Sequence, residues 1–297
     1  MTDLADIAAF VRTAELGAFA AVGEELGMTA SGVSRAVSRL ETRIGATLLH
    51  RTTRRLTLTQ EGEIYLGHAR QILHMIEAAE AEVSHASGGA PRGHVRINTG
   101  TAFARYKLVP SLPRLQAAHP MLSLDLSVTD RRIDPIAEQI DITIRVGPLS
   151  DSDLIAIRLG DVRRVIAASP DYLARHGRPQ RPSDLVDHNC LALAGFSRLD
   201  KWPFVLGGRR QTVNISGNFR SDNAEALLEM AMAGAGIIRV GDFLGEGALT
   251  DGRLVPLLVE THDADPQPIT ALVIPERRHL PRVAAVVDFL RETMTAH

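Results

Sequence analysis

A single cysteine, Cys190, in 297 residues leaves no internal disulfide framework and suits a reducing compartment. Cys190 itself reads as a small buried side chain beside a strand. Aromatic residues make up 4%, so the cores must be aliphatic. Lysine occurs only at Lys107 and Lys201, neither in surroundings that suggest a Schiff base. No run is apolar enough to span a membrane, and the opening Met1-Thr2-Asp3-Leu4-Ala5-Asp6 is acidic where a signal peptide would be basic. A cytoplasmic location without membrane contact is therefore expected. Also missing are a P-loop with Lys-Ser/Thr, H-E-x-x-H, a G-x-S-x-G elbow and paired Cys or His at metal-ligand spacing. No catalytic residue, metal or cofactor is expected, and the chain does not read as an enzyme.

Hydrophobic residues at 45% and charged residues at 23% are the profile of a globular chain, and the length calls for two or three compact units. The formal net charge of −2 hides a local asymmetry. Between positions 35 and 55 lie Arg35, Arg39, Arg43, Arg51, Arg54 and Arg55 against one acid, Glu41, while Asp3, Asp6, Glu15, Glu24 and Glu25 surround the stretch.

Three short amphipathic helices can be read around that cluster. Leu4, Ile7, Ala8 and Val11 form one stripe; Phe19, Val22 and Leu26 form a second, ended by Gly27; Val33, Val37, Leu40 and Ile44 form a third, capped by Thr29 or Ser31. The connection Gly27-Met28-Thr29 is so short that helices two and three must meet steeply, with small Gly23 at their close approach. Opposite the third stripe, Ser31, Ser34, Arg35 and Ser38 recur at helical spacing with Arg39 beside them. A merely solvated face would carry Glu and Lys. Short hydroxyls and arginine forks instead suit a helix lying in a DNA major groove. Leu56 and Leu58 then alternate with Thr57 and Thr59 as in a half-buried strand. That puts Arg51, Thr53, Arg54 and Arg55 on a hairpin, a wing able to follow the backbone into a narrow minor groove. Thr29, Ser31, Ser34, Arg35, Ser38 and Arg39 with the four wing residues are the candidate DNA-binding set.

From Gln60 to about residue 85 there is no proline, and Tyr65, Ala69, Ile72, Ile76, Ala79 and Val83 are spaced as a heptad seam. The spacing predicts a long helix that pairs with a second copy, giving a homodimer or homotetramer. Ser87-Gly88-Gly89-Ala90-Pro91-Arg92-Gly93 reads as a flexible linker. Beyond it, strand-like and helical runs alternate, which indicates α/β units with a largely parallel sheet. Strands are expected at 95–98, 122–128, 141–145, 163–169, 236–240 and 269–274, with a further segment at 254–258, and helices up to Pro120, from Asp134, and at 170–176, 224–235 and 281–294. Ligands of open α/β sheets bind beyond the carboxyl ends of strands, which selects Thr99, Thr101, Phe103, Thr129 and Arg145. Such hydroxyls and one arginine suit a small carboxylate. Asp130-Arg131-Arg132 and Arg163-Arg164 read as surface or hinge charge.

The chain resembles the LysR-type transcriptional regulators. The resemblance rests on Gly17-Ala18-Phe19, Leu26-Gly27, the run Val33-Ser34-Arg35-Ala36-Val37-Ser38-Arg39-Leu40-Glu41, Gly45, Leu48-Leu49, Arg51-Thr52-Thr53-Arg54-Arg55 and Leu58-Thr59-Gln60-Glu61-Gly62. Further on it continues in Val95-Arg96-Ile97, Asp141-Ile142-Thr143-Ile144-Arg145-Val146-Gly147, Gly234-Ala235-Gly236-Ile237-Ile238 and Gly252-Arg253-Leu254-Val255-Pro256. Ala18 stands where the family usually has a capping Ser, Leu49 where it often has Phe, Ala30 where many members read a base with Gln, and Gly241 where a proline is usual. The resemblance implies an all-α winged helix-turn-helix at 1–59, a dimerisation helix at 60–87, a linker at 88–94 and an effector-binding domain at 95–297. That domain would be a two-lobed α/β fold resembling periplasmic solute-binding proteins, with lobe I at about 95–161 and 268–297 and lobe II at about 162–267. The crossings would fall near 160–163 and 265–268. Phe196 and Asn223 join the effector candidates by the same resemblance. The implied partners are double-stranded promoter DNA, a small anionic effector, the chain itself and RNA polymerase. A rival reading makes the C-terminal part a two-lobed binding protein or enzyme whose N-terminal helices serve protein contacts.

Overall fold

The computed structural model describes residues 4–51, 56–86, 90–149, 151–194, 200–264 and 266–295, and divides into two compact units, Met1–Gly89 and Ala90–His297. The first unit holds α1 (Leu4–Leu16), α2 (Phe19–Leu26), α3 (Ala30–Ile44), the antiparallel pair β1 (Leu49–Arg51) and β2 (Leu56–Leu58), and α4 (Gln60–Ala86). Its core is built from the middles of the helical stripes: Ile7, Phe10, Val22, Val33, Val37 and Leu40 are buried. Leu4, Leu26 and Ile44, at stripe ends, are 42%, 38% and 38% exposed, because three short helices cover one another only where they cross.

Between α2 and α3 the turn works through three residues. Gly27 takes the left-handed conformation (φ 65°) that closes α2, and the Thr29 side chain accepts the Gly32 N–H to cap α3. Thr29, rather than Ser31, is therefore the cap. Gly23 lies so close to the turn that a Cβ there would sit 2.6 Å from the Met28 carbonyl oxygen. Ala18, at the N-cap of α2, makes no side-chain capping bond.

Of the heptad seam on α4, Tyr65 and Ala69 belong to the unit's own core. Ala69 is fully buried, and the Tyr65 ring lies 5.7 Å from that of Phe10. Further along, Ile72 is 37% exposed, Ile76 half-buried, Ala79 exposed and Val83 70% exposed. The helix has 27 residues, about 40 Å at ~1.5 Å each, and so outruns the three-helix core it starts on.

In chain order the second unit runs β3 (Gly93–Thr99), α5 (Thr101–Phe103), a π turn (Ala104–Leu108), α6 (Val109–Ala118), β4 (Leu122–Val128), β5 (Ile142–Val146), β6 (Ile155–Val162) and β7 (Arg164–Ala168). There follow α7 (Pro170–His176), β8 (Ala192–Leu193), β9 (Lys201–Leu206), β10 (Arg209–Asn214), β11 (Arg220–Ser221), α8 (Ala224–Met232), β12 (Ile238–Gly241), α9 (Asp242–Thr250), β13 (Val255–Pro256), β14 (Gln267–Val273) and α10 (Pro281–Thr295). The first sheet has the order β4-β3-β5-β14-β6, the second β12-β7-β13.

The sheets are mixed, which corrects the expectation of a largely parallel arrangement. Within these two sheets only β3 pairs in parallel, with β4 and β5; the short pair of β8 and β11 is parallel as well. The returning strand β14 is antiparallel to both β5 and β6, and β7 is antiparallel to β12 and β13. A chain that leaves the first sheet and comes back beside the strand it left on must return antiparallel. No helix starts at Asp134 either: its carboxylate accepts the N–H groups of Ile136 and Ala137 and holds a turn instead. Helices α7 and α8 begin where expected, capped by Ser169 and Asn223.

Gly23→Ala is expected to destabilise the first unit by roughly 1–3 kcal/mol, since the new methyl meets backbone rather than a yielding side chain. Urea unfolding followed by circular dichroism checks this; unchanged stability would mean that the α2–α3 approach is looser than described.

Candidate functional site

In the first unit the outward face of α3 opposes Val33, Val37 and Leu40. Ser31 and Arg35 are exposed, and Ser34 and Ser38 half-buried. The Arg35 Nε donates to the Ser31 carbonyl oxygen at 3.3 Å, which lays its side chain along the helix. Thr29 is exposed at the N-terminus, 3.1 Å from the Ser31 hydroxyl. Arg39 departs from this set. Its guanidinium grips the Asp6 carboxylate through both Nε (3.2 Å) and Nη2 (2.6 Å), and the Asp6 side chain is only 5% exposed. A buried carboxylate needs that partner, so Arg39 braces α3 against α1. Arg51 ends β1 opposite Leu56, which sets the hairpin register; its side chain, with Thr53, Arg54 and Arg55, lies outside the described residues.

In the second unit a cleft of about 650 Å³ opens along the ends of β3 and β5 and the start of β7. Thr99, Phe103, Thr129 and Arg145 of the expected set line it. Thr99 and Thr143 are buried with hydroxyls that have no hydrogen-bond partner among the described residues. Unpartnered buried hydroxyls beside a cavity are what a polar ligand satisfies. Thr143 and Arg145 lie two apart on β5 and so share a face. The Arg145 Nη2 donates to the Asn98 Oδ1 at 2.8 Å; burial, and next Arg132, make its charged form harder to hold, with Asp130 opposing. Asp141 does not pair with Arg145, because it is taken by Arg277 at 2.9 Å and by the Arg96 N–H.

Thr101 and Asn223 meet Asp130 at the cleft edge. Asp130 accepts the Thr101 N–H (3.0 Å) and hydroxyl (2.5 Å), and the Asn223 Nδ2 donates to both Asp130 Oδ2 and Thr101 Oγ1 at 2.9 Å. Asn223 also caps α8 by accepting the Ala226 N–H. One amide thus ties α8, which leads into β12 of the second sheet, to the loops of the first. Phe103 packs edge-on against Phe243, 6.3 Å between centroids. Phe196 lies outside the described residues.

Residues 4–63 match the family described as bacterial regulatory helix-turn-helix protein, lysR family, and residues 88–295 match the LysR substrate binding domain. The chain belongs to the LysR family. It is 35% identical, over 99% of its length and 97% of the relative's, to the HTH-type transcriptional regulator CrgA of Neisseria meningitidis serogroup C. It is 31% identical, over 99% and 95%, to the HTH-type transcriptional regulator DmlR of Escherichia coli. The solved structure of CrgA, a LysR-type transcriptional regulator from Neisseria meningitidis, superposes with a TM-score of 0.64 at 33% identity, covering 99% of both chains. The full-length Vibrio cholerae virulence activator AphB shares the fold at 24% identity, with a TM-score of 0.61 over 99% of this chain and 100% of that one. This LysR-type regulator is therefore a DNA-binding transcriptional regulator whose C-terminal part is a substrate-binding domain, not an enzyme. Among its described residues no group of three or more His, Cys, Asp or Glu is placed to hold a metal, and no helix is long and apolar enough to cross a membrane.

Sequence reading missed half the cleft. Asp130, Arg131, Arg132 and Arg164, taken for surface or hinge charge, all line it, as do Thr143 and Arg239. Five arginines thus face the cleft against one acid, Asp130. Burial, and next the charge of Arg164, push Arg239 down to about 9. Its Nε donates to the His262 Nε2 at 2.9 Å, and burial with the two arginines pushes that imidazole down to about 4.

His262 is neutral when folded, while an unfolded histidine takes a proton below about 6.5. The unfolded state therefore binds more protons as pH falls from about 6.5 towards 4, and stability is lost over that window, on the order of 2 kcal/mol given the ring's partial exposure. His262→Gln keeps an acceptor for Arg239 and does not titrate, so it should show a shallower loss in urea unfolding between pH 7 and 4.5. Parallel slopes for the two proteins would place the acid sensitivity elsewhere.

Proposed function

We propose that this regulator reads double-stranded promoter DNA in the cytoplasm through α3 and its wing, assembles through α4, and is controlled by a small anionic effector in the cleft of its substrate-binding domain. The observation that carries the DNA assignment is the α3 face: hydroxyls at Thr29, Ser31, Ser34 and Ser38 and the guanidinium of Arg35, without an acid among them. Shallow hydroxyls let the helix sit deep, and Arg35 supplies a fork for guanine or phosphate. Arg51, Thr53, Arg54 and Arg55 act on phosphates and the minor groove. Arg39 contributes indirectly, by holding α3 on Asp6. On α4, Ile72, Ile76, Ala79 and Val83 form the seam with a second copy, and Tyr65 and Ala69 anchor the helix to its own domain. RNA polymerase at the regulated promoter completes the partners of this reading.

The effector assignment rests on the five cleft arginines and the unsatisfied hydroxyls of Thr99 and Thr143. Of the five, Arg145, Arg164 and Arg239 are largely withdrawn from water; such cations favour an anion, and a ligand that touches both lobes shifts the balance between open and closed forms. That shift alters how the DNA readers of an assembled oligomer are spaced.

Arg35→Ala should narrow the gap between specific and random DNA by roughly 1–3 kcal/mol, while Arg54→Ala should weaken all DNA alike and flatten the slope of log K against log salt by ~0.9. Fluorescence anisotropy at several salt concentrations, on the DNA upstream of the regulator's own gene and on scrambled DNA, separates the two. Parent-like binding by both variants would move the lead to the protein-contact reading. Placing Glu at both Ile72 and Ile76 should lower the mass seen in sedimentation and weaken DNA binding together; unchanged mass would put the seam on another face.

A further inference from the structure

The cleft arginines fall into two groups. Arg132 and Arg145 stand on the first lobe and act on one another there. Arg164 and Arg239 stand on neighbouring strands of the second sheet. In the antiparallel β7–β12 pair Arg164 lies opposite Gly241 and Arg239 opposite Ile166, so the two arginines are diagonal neighbours on one face. Each is largely withdrawn from water, and burial works against the charge of both. Arginines kept for packing alone would be answered by acceptors. Among the described residues the Arg164 side chain makes no hydrogen bond or ion pair, and that of Arg239 has only the neutral His262, which brings no negative charge. Asp263, the acid that favours the charged form of Arg239, is engaged by Arg210 at 3.0 Å. Two like charges held side by side in this way destabilise the empty site, and a carboxylate between them removes that strain.

The first lobe offers a matching centre of its own in Arg145 with the unsatisfied hydroxyls of Thr99 and Thr143. The cleft volume of about 650 Å³ exceeds what one carboxylate fills, and Phe103, Phe243 and Leu272 give it apolar walls. We propose that the effector is a dicarboxylate, one end held by Arg145, Thr99 and Thr143, the other by Arg164 and Arg239, with its hydrocarbon chain against the apolar walls. This rests on the reading of the cleft as an anion site and adds the second carboxylate.

The test is calorimetric titration of the full-length regulator at neutral pH with unbranched α,ω-dicarboxylates of about four to eight carbons, the monocarboxylates of equal length and the corresponding primary amides. A dicarboxylate of fitting length should bind roughly tenfold or more tighter than its monocarboxylate. Arg164→Gln and Arg239→Gln should each abolish that advantage, bringing the dicarboxylate down to about the affinity of its monocarboxylate, and Arg145→Gln should do the same from the other end. Arg164→Lys, which retains the charge without the fork and guards against a folding artefact, should keep part of the advantage. Equal affinity of the two acid series in the parent, or an advantage that survives both glutamine variants, overturns the second carboxylate and leaves the anion site standing. If neither acid series binds better than the amides, the anion reading fails, and this inference with it.

Discussion

Gln267 lies opposite Val162, and much of the substrate-binding domain follows from that pairing. The chain leaves the first sheet at the end of β6 and starts β7 of the second sheet two residues later. It comes back as β14, slotted between β5 and β6 and antiparallel to both. The two passages between sheets are thus adjacent strands joined by a hydrogen-bonded ladder, with a bulge between Ile269 and Thr270. The backbone crosses between the sheets at this one place and the cleft opens beside it, while Asn223 ties the two again across the cleft edge. Val162, Arg164 and Gly241 line the cleft because they flank this junction.

Electrostatics at the junction are the reverse of those in the DNA-reading unit. There, opposite charges are paired: Arg39 on Asp6, Arg12 on Glu25 and Glu15, and Arg70 on Glu15. All but Arg12–Glu15, which lies within α1, join two helices, and they leave the hydroxyl face of α3 outside them. Five arginines and one acid line the cleft, and that acid, Asp130, is already taken up by Thr101 and Asn223. The same desolvation that disfavours bare cations strengthens their attraction to an anion, which is the physical ground of the proposed effector reading.

The helix-turn-helix unit was legible because its signals are local. Gly23, Gly27 and Thr29 lie within seven positions and set one turn; the Ser31-Ser34-Arg35-Ser38 spacing needs only a helix to define a face. The cleft was half legible. Thr99, Thr129 and Arg145 end strands and could be found from strand position, but Arg164 and Arg239 sit 75 positions apart and meet only through the β7–β12 register. The hairpin of β9 and β10 was missed although Gly207-Gly208, both at positive φ (57° and 76°), carried a turn signal between two strand-like runs.

The amino-acid sequence by itself determined the helix-turn-helix, the long α4, the strands β3, β4, β5, β7, β12 and β14 of the α/β domain and the absence of catalytic motifs, since each depends on periodicity and residue type over a few turns. Tertiary structure decided the rest. Arg39 became a brace because Asp6, 33 positions away, is buried against it. Tyr65 and Ala69 turned inward because the three-helix core had a face to be covered. Asp130-Arg131-Arg132 and Arg164 became cleft wall rather than surface charge, because long-range strand pairing, which no local window contains, brings the end of β4 and the start of β7 to one cavity.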